Sequence, residues 1–163
     1  MHHSSYDLCR NFVEDSLSDK KTLSIADVGS KDVNGSYRPL FDREGWHYVG
    51  LDDAAGKNVD VVLTPKTWKE NANKFDVAIS GQCLEHVLRP WKWIDDVASI
   101  VKPGGLVWII APNTFQFHEY PRDCWRIWPD GLRAIFEEGK LETIYCRRVG
   151  IDTFGLAKKP LEK

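Results

Sequence analysis

A chain of 163 residues can build one substantial core and is too short for two ordinary domains with a linker, so residues 1–163 are expected to form a single domain. With 42% hydrophobic and 28% charged residues and a net charge of -2, the composition is globular and has no basic excess of the kind that marks a nucleic-acid binder. Apolar runs such as Leu106–Pro112 reach only strand length, which argues against membrane spanning; residues 1–5 lack a secretory pattern, and the four cysteines are too dispersed for a zinc or redox motif, so a cytoplasmic, reducing setting is expected.

In chain order, the first expected element is a helix over Tyr6–Leu17, where Leu8, Phe12, Val13 and Leu17 share one face. Its leading residues His3, Ser4, Ser5 and Tyr6 are candidates for a lid over a ligand mouth, with simple packing as the alternative. Short β-branched runs then alternate with helical segments: strands at Leu23–Val28, Tyr48–Leu51, Val59–Leu63, Phe75–Ser80 and Leu106–Ala111, and helices at Tyr37–Glu44, Pro90–Val101 and Pro129–Glu138. Lys102-Pro103-Gly104-Gly105 reads as a helix stop. Leu141–Val149 and Thr153–Ala157 are too close for a parallel crossover and should form an antiparallel hairpin. The expected fold is α/β: a Rossmann-like, doubly wound, mostly parallel seven-stranded sheet finished by that hairpin.

Two features point to a ligand at the carboxyl edge of such a sheet. The run Ile25-Ala26-Asp27-Val28-Gly29-Ser30 ends a strand in a glycine turn, and Asn34 and Gly35 follow within the same loop. About 20 residues on, Asp52 closes the next strand, where a carboxylate can accept from both hydroxyls of a ribose; Asp53 is its alternate. A nicotinamide dinucleotide and S-adenosylmethionine both fit this spacing. Asp27 and Asp32 beside the turn repel a pyrophosphate and attract an ammonium and a sulfonium, so the electrostatics favour S-adenosylmethionine.

Asp27-Val28-Gly29-Ser30, Tyr48-Val49-Gly50-Leu51-Asp52, Phe75–Ser80, Cys83-Leu84-Glu85-His86-Val87 and Lys102–Gly105 together resemble the class I S-adenosylmethionine-dependent methyltransferases, across roughly residues 22–158. The resemblance implies that Asp27, Gly29 and Ser30 lie under the methionyl portion and that Asp52 binds ribose. It further implies that Val62 and Leu63 flank adenine and that Ser80, Gly81 and Gln82 approach the methionyl end. The family's second turn glycine is replaced here by Lys31, so Asn34, Gly35 and Ser36 are expected to supply small polar contacts.

Pro112–Trp128 is too long for an ordinary connection and interleaves aromatic with polar residues, as an acceptor pocket or its lid would. His118 is the candidate base, and Tyr120, Asp123, Trp125 and Arg126 are candidate substrate contacts. The alternative for Asp123 and Arg126 is an internal ion pair that pins the loop. No metal is expected, because His118, Glu119 and Asp123 as loop neighbours do not define coordination. The resulting expectation is methyl transfer to a small-molecule oxygen or nitrogen acceptor, with S-adenosylhomocysteine as product and no nucleic-acid or membrane partner. The rivals are a non-catalytic cofactor-binding scaffold and an NAD-dependent oxidoreductase.

Overall fold

The computed structural model describes residues 3–161. Seven strands form one sheet in the order β3-β2-β1-β4-β5-β7-β6. They are β1 (Leu23–Val28), β2 (Trp46–Asp52), β3 (Val61–Val62), β4 (Phe75–Gly81), β5 (Val101–Pro112), β6 (Glu142–Val149) and β7 (Asp152–Lys158). β1 to β5 run parallel, while β7 is antiparallel to both β5 and β6. The hairpin and the mostly parallel sheet are therefore as the sequence implies.

Two-sided burial follows from side-chain alternation on central strands. On β1, Ala26 and Val28 enter one core with Ile94 and Val97 of α3 (Pro90–Ile100) and Leu132 and Phe136 of α4 (Pro129–Glu138). Leu23 and Ile25 enter the other core, with Cys9, Phe12, Val13 and Leu17 of α1 (His3–Leu17). Trp108 of β5 is fully buried there and stacks on Phe12 at 5.7 Å between ring centroids.

Three local expectations change. The helix expected over Tyr37–Glu44 shrinks to a single 3-10 turn, Arg38–Phe41, because the chain must reverse through Gly45 (φ +80) and enter β2 at Trp46. Lys102–Gly105 does not separate α3 from its strand. β5 starts at Val101, and the segment bulges out between the pairs Phe75–Val101 and Val77–Leu106 with Gly104 at φ +80. A short helix, α2 (Pro65–Glu70), arises where only a strand end was expected; Thr64 accepts from the Thr67 amide and the Thr67 hydroxyl answers the Thr64 amide. Among the described residues no helix is long and apolar enough to cross a membrane.

Candidate functional site

The carboxyl ends of β1, β2 and β4 meet at one edge of the sheet, where parallel α/β folds place their ligands. Gly29 ends β1 at φ +82, and a Cβ there would lie 2.4 Å from Cys83 Sγ. The turn is thus packed directly on the segment that follows β4. Lys31 fits in the place of a second glycine because its amide donates to Asp52 Oδ2 (3.0 Å) while its side chain lies over Gly56, whose Cβ would sit 2.8 Å from Lys31 Cε. Asp52 also accepts from the Ala54 amide at 3.0 Å, and partial burial raises its carboxyl above the ordinary value. Asp53 beside it is exposed.

Asp27 is buried and accepts from the Tyr48 hydroxyl; burial pushes its carboxyl up to about 7. Asp32 is not a free anion over the turn. It accepts from the Gly35 amide at 2.7 Å and pairs with Lys57 at 2.7 Å, which holds its carboxyl below the usual value. Asn34 and Gly35 are exposed at the outer rim of this loop. The Ser30 hydroxyl donates to the Asn58 carbonyl at 3.2 Å, and that of Ser80 donates to the Val28 carbonyl at 2.7 Å. Both serines are buried, so their side chains hold the turn and join β4 to β1. A Cβ on Gly81 would collide with the Tyr37 hydroxyl at 2.3 Å. Gln82, at φ +54, donates to Asp152 Oδ1 at 2.9 Å. Val62 is exposed and Leu63 packs against the α3 core at the end of β3.

The sequence reading did not single out two groups that organise this edge. Arg38 reaches Asn58 Oδ1 and Asp60 Oδ2, each at 2.5 Å, and lies 4.4 Å over the Tyr48 ring, tying the β1–β2 loop to the β2–β3 loop. Asp152, fully buried at the start of β7, accepts from Gln82 and also from Ser4 Oγ at 3.3 Å. The start of α1 therefore anchors at this edge, with Ser5 buried and Tyr6 stacked on Tyr37 at 6.4 Å. The His3 side chain lies outside the described residues.

The loop after β5 is ordered by its own ion pair. Arg126 grips both carboxylate oxygens of Asp123, at 2.5 and 2.7 Å, and donates to the carbonyls of Phe115, Gln116 and Trp125. All five of its N–H groups are engaged, none left for an acidic substrate, so the substrate contacts expected of Asp123 and Arg126 give way to the internal clamp. The Arg126 hydrogen bonds hold the Asp123 carboxyl well below the usual range. Trp125 donates to the Val87 carbonyl at 2.7 Å and is over a third exposed, while Tyr120 is half exposed. The clamp also places His118: its amide donates to Asp123 Oδ2 at 2.8 Å, and its ring meets that of His86 edge-on at 5.0 Å. Glu85, fully buried beside His86, has its carboxyl pushed up to about 8 by burial.

The sequence model of the methyltransferase domain family matches residues 1–147. The chain belongs to the class I methyltransferase family. This methyltransferase domain is 28% identical to the mitochondrial ubiquinone biosynthesis O-methyltransferase of Rattus norvegicus over 142 residues, 70% of this chain and 41% of that protein. It is 31% identical to the Caulobacter vibrioides ubiquinone biosynthesis O-methyltransferase over 64 residues, 37% of this chain and 25% of that one. The domain thus spans under half the length of these curated relatives. Its fold matches that of a Burkholderia thailandensis 1,6-didemethyltoxoflavin-N1-methyltransferase with bound S-adenosylhomocysteine (TM-score 0.74, 13% identity, 97% of this chain and 77% of that one). It matches the [4+2]-cyclase SpnF almost as well (TM-score 0.73, 13% identity, 96% and 81%), so the fold alone does not name the reaction.

Proposed function

We propose that this domain moves a methyl group from S-adenosylmethionine to an oxygen or nitrogen of a small-molecule acceptor, leaving S-adenosylhomocysteine. The observation that carries the reading is the convergence of the Gly29 turn, buried Asp27 and half-exposed Asp52 at one sheet edge in a chain of this family. The donor set suits the cofactor: Asp52 has lone pairs beyond those used by the Lys31 and Ala54 amides for two ribose hydroxyls. Asp27 in its ionised form suits an ammonium. Gly29, Gly81 and Gln82 form the floor, Asn34, Gly35 and Asp53 the rim, and Val62 and Leu63 an apolar edge for adenine.

Bound S-adenosylmethionine supplies a methyl carbon already activated by positive sulfur. The protein then has to align the acceptor in line with it and keep water out. His118 is the titratable group we place at the acceptor, and Tyr120 and Trp125 offer exposed aromatic surface on the same loop. A net charge of -2 with no basic excess favours a small molecule over nucleic acid, and four free cysteines fit a cytoplasmic setting.

Calorimetry with S-adenosylhomocysteine and with NAD tests this. The expected result is S-adenosylhomocysteine binding that Asp52→Ala weakens by about tenfold or more, equivalent to roughly 1.4 kcal/mol, with no NAD binding. Binding of NAD alone would remove the methyl-transfer reading, and binding undiminished by Asp52→Ala would remove Asp52 from the ribose.

A further inference from the structure

Glu85 and His86, which follow β4, converge with His118 of the loop after β5. Glu85 is fully buried, and neither of its carboxylate oxygens has a hydrogen-bond partner among the described residues. Leaving such a group unmatched costs several kcal/mol, so a native structure normally compensates it. The nearest polar atom facing it is His86 Nε2, 3.7 Å from Oε1. His86 Nδ1 lies 2.5 Å from the Arg122 carbonyl, which can only accept, so the ring proton sits on Nδ1. In that tautomer Nε2 turns its lone pair towards Glu85.

His118 repeats the pattern. Its Nδ1 is 3.2 Å from the Gln116 carbonyl and 3.4 Å from Asp123 Oδ2, both acceptors, so the tautomer with the proton on Nδ1 leaves the Nε2 lone pair for a ligand role. One ligand atom from each of Glu85, His86 and His118 lies within 4.8 Å of the other two. A carbonyl or carboxylate orienting the far nitrogen of each imidazole is the usual outer support of a metal-bound histidine.

We propose that Glu85, His86 and His118 bind a divalent transition-metal ion. Two imidazoles and one carboxylate suit zinc, cobalt, iron or manganese rather than calcium or magnesium, which prefer oxygen shells. Ligand distances near 2.0–2.2 Å set ligand atoms about 3.4 Å apart, so the side chains close by up to about 1 Å on binding, and three protein ligands leave coordination positions open. Asp123 is not a ligand, since both of its oxygens are held by Arg126; it positions His118.

Resting on the methyl-transfer reading, the ion defines the acceptor as a hydroxyl compound. A hydroxyl in an open position releases its proton to water more readily. Its oxygen pair then forms the new C–O bond while the S–CH3 bond breaks, and that bond's electrons stay on sulfur as a neutral thioether. His118 then acts by holding the ion rather than by taking the proton itself.

Titration of the full chain with Co2+, followed by its visible d–d bands, tests the site. The expected result is one saturable equivalent with nitrogen and oxygen ligation, weakened by about tenfold or more in both His118→Ala and Glu85→Gln. His118 is on a partly exposed loop, so His118→Ala should fold, and Co2+ should raise the melting temperature of the unaltered chain but not of this variant. A thiolate charge-transfer band, the absence of saturation below about 1 mM, or binding that survives both substitutions would overturn the site. Survival would instead mark capture by a group such as His2 and His3. S-adenosylhomocysteine calorimetry on the metal-free chain scores the cofactor reading separately, so either conclusion can fail without the other.

Discussion

At the scale of single residues, the carboxyl edge of the sheet is held by conformations and charges that its stability opposes. Gly29→Ala forces a side chain into a left-handed conformation and onto Cys83 Sγ, 2.4 Å from the new carbon. We expect a loss of about 2–4 kcal/mol in urea unfolding, with m unchanged. Asp27 is the second case. With its carboxyl at about 7 in the fold against 3.8 when free, the folded state holds the extra proton between those values. Stability contributed by the neutral form is full below about pH 4 and is lost as pH rises through 7, the reverse of an ion-paired carboxylate. Asp27→Asn should therefore stabilise the domain at pH 8 by on the order of 2 kcal/mol in denaturant melts and remove this pH slope. An ammonium prefers the ionised form, so S-adenosylhomocysteine affinity should climb from pH 6 to pH 8 and lose that climb in the same variant. Gly29, Asp27 and Asp52 were all legible in the sequence, because a turn glycine and strand-end acids are local signals. Ser30 and Ser80 were legible as positions only; which way a small hydroxyl turns depends on the neighbouring strand.

At the scale of elements, the loop after β5 shows how a long connection becomes a rigid part. Its backbone is pinned by Arg126 to four groups and by the Cys124 amide to the Glu85 carbonyl at 2.7 Å. Arg126→Ala takes this donor from Asp123 and from three carbonyls. We expect a loss of about 2 kcal/mol and faster proteolytic cleavage between residues 113 and 128, with S-adenosylhomocysteine affinity preserved. Equal cleavage rates would show that the clamp does not order the loop. The loop's length and mixed composition were legible in the sequence, as was the choice between a substrate contact and an internal ion pair. Geometry settled that choice, since five N–H groups face acceptors of the loop itself. α2 was missed although Thr64-Pro65 is a serviceable helix start, because Thr67 stands where the usual capping box has Glu or Gln.

At the scale of the whole molecule, α1 is, among the described residues, the only α-helix packed on the Trp108 side, against α3 and α4 on the other. Deleting residues 1–17 would uncover Trp108, Ile25 and Ile110, so we expect a chain that binds a hydrophobic dye and lacks a cooperative thermal transition. Amide exchange should be slowest on β1, β4 and β5 at the centre of the sheet and fastest on the edge strands β3 and β6. The sequence alone determined the alternation of strands and helices, the terminal hairpin, the Gly29 turn and the acid at Asp52, because hydrophobic period and turn chemistry act over a few residues. Only the tertiary structure decided that Glu85 and His86 meet His118 and that Asp152 joins Gln82 to α1. It likewise decided that Arg38 bridges two loops. Those partners are distant along the chain, and the parallel crossovers bring them together by stacking the carboxyl ends of β1, β2, β4 and β5 at one edge.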